Sequence, residues 1–264
     1  VETVQAPAWV ERDGRRLALA PGMQLENRDR LLTGRGARAI VQLADGSAVK
    51  FGENVNAAVN AMKQGENGFF TAALDVSKGA FRLTTDVSQR SQRQRAINIR
   101  AGTLTVGIRG TDVSGRSNDE NDSVCLLEGH VAVSHPLGEP SELAEPMQFL
   151  AADKGQAPAA IATANKVLLA KWALETELND GVGTQQTGGR WALDFGRLDK
   201  DGALTLHDQL SVAGYAGRIR PVRAPGGYLY ELRLKQLVTE REAQSLADKL
   251  ARELNIPVPA ISRH

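Results

Sequence analysis

The apolar and polar residues at positions 9–133 form short stretches that glycine, asparagine and aspartate interrupt. Residues 39–43 form one such stretch, Asp45 and Gly46 follow it, and the apolar pattern returns at residues 48–51. An Asp-Gly pair between two alternating stretches is a strong signal for a β-hairpin. Because strand-like stretches recur at short spacing, the pattern predicts an all-β domain built as a sandwich, a barrel or a solenoid.

Residues 101–113, AGTLTVGIRGTDV, combine β-branched residues with two glycines inside a strand pattern. Glycine within a strand marks a bulge, a bend or a close approach of two backbones. Gly107 and Gly110 therefore predict a break between two short strands, with Arg109 on the kink. Arg109 either pairs with a carboxylate at a corner of the β domain or contacts a partner, and it is a candidate partner-binding residue.

A helical pattern follows the β region. Residues 163–179 carry apolar side chains at roughly helical spacing, and Thr163 is a candidate N-cap. The polar face of this helix is mixed rather than basic, which favours packing on a protein surface over lying on a membrane. We expect Trp172 to cover that protein surface. The glycine-rich residues 181–189 are typical of a flexible linker.

The chain from Arg190 onward predicts strand, helix, strand, strand, helix and strand, at residues 191–198, 199–212, 217–223, 228–234, 240–254 and 257–261. The second helix has the clearest signal, because Thr239 and Glu242 form a capping-box pattern ahead of an apolar stripe. The order βαββαβ predicts an α+β, ferredoxin-like domain with both helices on one face of the sheet.

These patterns together predict a multidomain protein. Residues 1–155 form an all-β domain that is solenoid- or sandwich-like, residues 156–189 form a linker that contains a helix, and residues 190–264 form the ferredoxin-like domain.

The open face of the C-terminal sheet is the candidate binding surface. Strand alternation places seven apolar and aromatic residues under the helices, namely Trp191, Leu193, Phe195, Tyr228, Tyr230, Leu232 and Leu234. The charged residues then lie on the open face, and six of them are candidate binding residues: Asp194, Arg197, Arg218, Arg220, Glu231 and Arg233. Arginine and carboxylate groups can bind hydroxyl and amide groups bidentately, but they can equally form cross-strand ion pairs with one another. Both interpretations remain open.

Composition excludes several classes of protein. The net charge of +1 over 264 residues gives no overall electrostatic case for binding nucleic acid or an anionic membrane. Cys125, the single cysteine, cannot form an intramolecular disulfide, and its apolar surroundings predict a buried, inert thiol. The four histidines show no metal-ligand spacing, and no catalytic or cofactor motif is present, so we expect a non-enzymatic protein without metal or cofactor. No apolar run is long enough to span a membrane, and no signal peptide begins at Val1.

Four motifs in the β region resemble a known family when they are taken in order: LADGSAV at residues 43–49, VSKGAFRLTT at 76–85, VGIRGTDV at 106–113 and LEGHVAV at 127–133. Together they are similar to a FecR-type domain over about residues 9–155. The resemblance implies an all-β, extracytoplasmic domain. In the signalling members of the family, this domain belongs to a membrane-spanning regulator that relays a signal from an outer-membrane receptor to a sigma factor. The cytoplasmic half and the membrane span of those regulators have no counterpart in this sequence.

Residues 190–262 resemble a SPOR domain, a glycan-binding module of the bacterial envelope. The resemblance rests on WALDFGRL at residues 191–198, on Ala213-Gly214-Tyr215, on residues 230–237 and on Glu242-Ala243. It implies binding to peptidoglycan strands that lack stem peptides, mostly at the division site. With this resemblance, the six charged residues of the open face become glycan-binding candidates: Asp194, Arg197, Arg218, Arg220, Glu231 and Arg233. Asp194, Arg197 and Glu231 depart from the residues that the family usually has at these positions.

The two resemblances predict a periplasmic protein of the Gram-negative cell envelope. The SPOR-like domain would bind peptidoglycan glycan strands, and the FecR-like domain would bind an unknown ligand or an envelope or division protein. The alternative is a signalling or assembly adaptor in which both domains bind protein. Nucleic acid is a disfavoured partner, because the aromatic side chains of the sheet are expected to face inward.

Overall fold

The structure, a computed structural model, describes residues 1–65, 69–85, 95–108 and 110–263. The strands of the first part of the chain are β1 (Thr3–Gln5), β2 (Ala8–Arg12), β3 (Arg15–Ala18), β4 (Arg30–Thr33), β5 (Arg38–Gln42), β6 (Ala48–Phe51), β7 (Asn56–Gln64), β8 (Phe70–Thr84), β9 (Arg95–Ala101), β10 (Leu104–Ile108), β11 (Asp112–Ser117), β12 (Asn121–Glu128), β13 (Val131–His135), β14 (Gly138–Leu143), β15 (Gln148–Asp153) and β16 (Ala162–Thr163).

These strands form two sheets that share β8. Sheet 1 has the order β16–β15–β12–β11–β8–β6–β5–β1, and sheet 2 has the order β3–β2–β4–β7–β8–β9–β10–β13–β14. In the sequence, Gly79 separates two strand-like stretches at residues 69–76 and 80–84 and so predicts a break, but β8 runs through it as one strand. Gly79 has a φ of +94° and bends the strand from one sheet into the other. A glycine is required here because a Cβ atom would lie 2.5 Å from the Val55 side chain.

Apolar side chains from both sheets meet in one core. On β9 and β10, Ile97, Ile99, Leu104 and Val106 are fully buried, and each such side chain stabilises the fold by about 1.5–3 kcal/mol. The prediction of an all-β N-terminal region is confirmed. Gly107 does not break β10 as the sequence suggests, because residues 104–108 form one continuous strand.

The chain crosses from sheet 2 to sheet 1 between β10 and β11. This crossing lies where the sequence predicts a corner. Arg109 itself lies outside the described residues, so its role in binding a partner stays a prediction.

Helix α1 spans Lys166–Thr176 and begins later than the sequence predicts. Thr163 is not the N-cap because it belongs to β16 and pairs with Gln148. Asn165 is the N-cap instead, and its side chain accepts a hydrogen bond from the Leu168 N–H at 2.9 Å. The helix lies on sheet 1, with Trp172 edge-on to Phe149 at 5.5 Å between ring centroids.

The rest of the chain contains β17 (Gln185–Gln186), β18 (Trp191–Leu198), α2 (Lys200–Val212), β19 (Arg218–Ala224), β20 (Gly227–Leu237), α3 (Glu240–Leu254) and β21 (Ala260–Arg263). The C-terminal sheet is antiparallel in the order β21–β18–β20–β19. Leucines of β18 and β20 form a second core with α2 and α3, which both lie on one side of the sheet. The sequence places Tyr228 in this core, but it lies at the tip of the β19–β20 hairpin and is 57% exposed.

Helix α3 has the bounds that its sequence pattern predicts, but its capping differs. Thr239 Oγ1 accepts a hydrogen bond from the Glu242 N–H at 3.2 Å, as in a capping box. The Glu242 carboxylate does not return to Thr239. It accepts hydrogen bonds at 2.6–2.8 Å from the backbone N–H groups of Gly181, Gly183 and Thr184.

The first and last parts of the chain are tied together by β1. This strand pairs with β5 on one side and with β17 on the other, and β17 also pairs with β20. Sheet 1 therefore continues into the C-terminal sheet. The prediction that residues 181–189 form a flexible linker is therefore wrong. β17 and the hydrogen bonds of Glu242 fix this segment to the first and last parts of the chain.

Candidate functional site

A β-bulge shapes the open face of the C-terminal sheet. The register of β18 against β20 shifts between Asp194 and Arg197. Gly196 has a φ of +86°, and its N–H donates to Asp194 Oδ1 at 2.8 Å. A bulge redirects the side chains that follow it. Here it brings Asp194 and Arg197, three positions apart, to the same charged cluster.

Glu231 lies at the centre of this cluster. Its side chain is only 8% exposed, and three arginine side chains converge on it. Arg197 Nε donates to Oε1 at 3.3 Å, Arg220 Nη2 donates to Oε2 at 3.0 Å, and Arg233 Nη2 lies 3.5 Å from Oε2. Two of these arginines come from the neighbouring strands β18 and β19, in register with Glu231 itself.

Arg233 links Glu231 to a second carboxylate. Its Nε donates to Asp194 Oδ2 at 2.8 Å, and the two residues are direct cross-strand partners. Arg218 lies opposite Arg233 on β19 but makes no ion pair with any described residue. All six sequence-predicted residues therefore lie together, and we name this group the arginine face.

The arginine face has four arginines and two carboxylates, which leaves an excess of positive charge. Arg197 and Arg220 have side chains that are 61% and 71% exposed. Exposed ion pairs contribute about 0–1 kcal/mol each, so the main effect of these two pairs is that the buried Glu231 orients both guanidinium groups. Their outward N–H groups remain available to planar anionic groups or to hydroxyl oxygens. The geometry is compatible with both the glycan and the ion-pair interpretations.

Sequence reasoning missed a second charged region, under α1. Arg38, Lys50, Arg82 and Arg116 reach towards the end of this helix, where Glu175 and Glu177 lie. Burial raises the pKa of the Glu175 carboxyl, although Arg116 opposes the shift. The alternation of polar and apolar residues in β6 and β8 indicates which side chains point outward. Nothing in the sequence says that a helix covers them.

The described residues hold no group of three or more His, Cys, Asp or Glu side chains that could bind a metal. Cys125 is 2% exposed, and burial raises the pKa of its thiol to about 12, so the thiol is not a nucleophile near neutral pH. The prediction that Cys125 is buried is confirmed.

Comparison with known proteins bears on the β region. Residues 29–132 match the family model described as FecR protein. The FecR-matching region runs from β4 into β13 and contributes strands to both sheets. It confirms part of the resemblance that the motifs predict for residues 9–155. No curated protein matches this sequence.

Two solved structures of a proposed anti-sigma factor from Parabacteroides distasonis, at 1.65 Å and 2.50 Å resolution, are similar to the chain. Each shares 14% sequence identity with it, and the similarity covers 86% of this chain and 92% of the other. The TM-scores are 0.44 and 0.45, which are too low to carry a structural or functional argument. None of these matches supports the SPOR resemblance of residues 190–262.

Proposed function

We propose that this protein is a non-enzymatic adaptor of the bacterial cell envelope that acts by binding other proteins in the periplasm. The observation that carries the proposal is the match of residues 29–132 to FecR protein. Signalling members of that family relay information by protein contacts, and the absence of a catalytic motif in the sequence agrees with such a role. No helix among the described residues is long and apolar enough to cross a membrane.

The proposed contact surface is the arginine face. Arg197 and Arg220 hold their guanidinium groups outward on a rigid sheet, oriented by the buried Glu231. Arginine is enriched at the centres of protein interfaces because one side chain combines several donors with a large contact area. A partner with acidic groups at this surface would pair with Arg218 as well, which has no ion-pair partner among the described residues.

A second candidate function is binding of glycan strands. The supporting observation is the strand order β21–β18–β20–β19 with helices on one side only. We propose that this unit is a ferredoxin-like domain of the kind that the SPOR resemblance implies. Asp194 and Glu231 are already engaged by arginines, however, and a sugar would find few free acceptors there. This observation favours protein over glycan as the partner.

Site-specific photo-crosslinking tests the proposal. A crosslinking amino acid replaces Arg220 in the full chain exported to a Gram-negative periplasm, and a matched control replaces the exposed Gln209 on α2. We expect protease-sensitive protein adducts from position 220 and not from position 209. Equal adducts from both positions, or none from either, would contradict the proposal.

Co-sedimentation with purified sacculi separates the two candidates. The full chain and its Arg220→Ala variant are mixed with sacculi before and after amidase removal of stem peptides. The adaptor proposal predicts no pelleting with either preparation. Arg220-dependent pelleting with the stripped sacculi would identify a glycan-binding protein instead.

A further inference from the structure

Four cationic side chains lie in a row on the outer surface of sheet 1. They come from four neighbouring strands: Arg38 from β5, Lys50 from β6, Arg82 from β8 and Arg116 from β11. Lys50 and Arg82 are direct cross-strand partners. One carboxylate of the sheet joins them, because Asp112 accepts hydrogen bonds from Arg82 at 2.7 and 2.9 Å. We name these four side chains the basic strip.

Helix α1 covers the basic strip through the carboxyl end of the helix. Glu177 accepts a hydrogen bond from Lys50 Nζ at 2.8 Å and lies 3.6 Å from Arg82, while Glu175 lies 3.1 Å from Arg116. Arg38 donates to the backbone carbonyls of Leu174 and Glu177 at 3.2 and 3.1 Å. A cation at this position satisfies the free carbonyl groups at a helix C-terminus and complements the helix dipole.

Helix α1 is only lightly packed on the sheet. Thr176 is the only buried residue of its 11. Val167 and Leu174, which a packed helix would bury, are 79% and 69% exposed. Clefts of about 450 and 290 Å³ flank the helix, one beside Lys171 and the other beside Leu169. The edge-on contact of Trp172 with Phe149 is one apolar contact that holds the helix, and the partly exposed ion pairs contribute about 0–1 kcal/mol each.

The sheet is nevertheless shaped to receive a helix backbone. Gly52 lies at the end of β6, and a Cβ atom there would collide with the carbonyl oxygen of Glu175. The backbone conformation of Gly52 is open to any residue, since its φ is not positive. Its lack of a side chain therefore serves to let the helix approach.

From these contacts we infer that the basic strip is a docking groove for a helical segment of a partner protein that carries acidic residues at its carboxyl end, with α1 as its displaceable cover. Charge complementarity identifies the occupant, because the strip offers four cations and the end of α1 meets them with two glutamates and its carbonyl groups. The inference rests on the proposed function, in that the protein acts by binding protein. It adds a second surface, separate from the arginine face.

Amide hydrogen exchange of the full chain tests whether α1 opens. Amides of residues 166–176 should exchange at least about tenfold faster than those of α3, whose apolar face is buried. Equal protection of the two helices would show that α1 is a fixed part of the fold, and it would overturn the inference.

A binding experiment tests the groove itself. The probe is a fluorescent synthetic peptide of residues 164–179, and the receptor is the full chain carrying Glu175→Lys and Glu177→Lys, which repels its own helix from the strip. This receptor should bind the peptide at least about tenfold more tightly than the wild-type chain does. A peptide with the same two lysines should bind neither protein. Equal binding of the probe to both proteins, or of both peptides to the vacated protein, would overturn the inference.

Two further variants control this experiment. Lys50→Ala, added to the vacated receptor, should weaken binding of the probe at least about tenfold, because it removes the cation that pairs with Glu177 and adds no carboxylate that could attract the two new lysines. If the double variant does not fold, Trp172→Ala replaces it, since that change loosens the helix and leaves the strip intact. Crosslinking from position 220 does not involve this groove, so failure of the groove and failure of the adaptor proposal can be told apart.

Discussion

At the scale of single residues, Glu231 controls the charge of the arginine face. Glu231→Gln leaves Arg197, Arg220 and Arg233 with one carboxylate fewer in a partly buried cluster. We expect a loss of about 1–3 kcal/mol in the free energy of unfolding, measured by urea denaturation at pH 7.

The control for this change is Glu139→Gln on the exposed strand β14, which should alter stability by less than about 0.5 kcal/mol. If the Glu231 variant and the wild type were equally stable, the three arginines would not depend on this carboxylate to offset their positive charge.

Glu242 carries a second residue-scale prediction, which concerns pH. Burial alone would raise the pKa of Glu242, but the N–H groups of Thr184, Gly181 and Gly183 outweigh that effect and lower it. A carboxyl whose pKa is lowered by folding stabilises the protein above its unfolded pKa, which is about 4.3. The stabilisation is lost as the pH falls through the folded pKa.

Glu242→Gln should therefore destabilise the protein by about 1–3 kcal/mol at pH 7, because the charge on three hydrogen bonds is removed. The difference in urea midpoint between wild type and variant should shrink below about pH 4. A difference that stays constant from neutral to strongly acidic pH would contradict this account.

The element scale shows what the sequence could predict. Helix α3 was predicted with its bounds because its cap and its apolar stripe agree, and local signals of that kind need no tertiary information. The predicted start of helix α1 is too early, because its apolar residues do not form one face and because Thr163 forms a strand pair instead. The break predicted at Gly79 is a bend within one strand. A bend and a break differ in whether β8 pairs with both sheets, and the sequence does not show that pairing.

The six residues of the arginine face were predicted because strand alternation survives in β19 and β20. Their mutual contacts were not predictable, since the bulge at Gly196 sets which charges meet. The basic strip was missed for a related reason. Its four cations are far apart in sequence and become neighbours only through the order of strands in sheet 1.

An element-scale prediction concerns the approach of α1 to sheet 1. Gly52→Ala should lift the end of the helix, because the added methyl group meets the Glu175 carbonyl oxygen. Amide exchange in residues 166–178 should rise by about tenfold or more while exchange in β10 is unchanged.

Gly107→Ala is the matched control for this change. A Cβ atom at Gly107 has no heavy atom nearer than 3.6 Å, and the residue does not contact α1. Equal exchange of the helix in both variants would show that Gly52 is not needed for its docking.

At the scale of the whole molecule, the N-terminal strand joins the two ends of the chain. Gln5 is fully buried between them. Its Nε2 donates to the Asn179 carbonyl at 2.6 Å and to Thr184 Oγ1 at 2.8 Å, and its Oε1 accepts from the Asn179 N–H at 3.0 Å. The indole of Trp9 adds a hydrogen bond to the Ser211 carbonyl at 3.2 Å. Sequence patterns could not indicate this junction, because β1 and β17 are too short to show periodicity.

Gln5→Ala should uncouple the two parts, because it removes three hydrogen bonds and leaves buried polar groups of the 179–184 segment without partners. We expect a loss of about 2–4 kcal/mol. Differential scanning calorimetry should show one transition for the wild type and two for the variant, since β1 would no longer transmit stability between the sheets. Gln209→Ala on the exposed face of α2 should keep the single transition. Two transitions in the wild type itself would mean that the parts unfold independently, and that the arginine face and the basic strip are not coupled through β1.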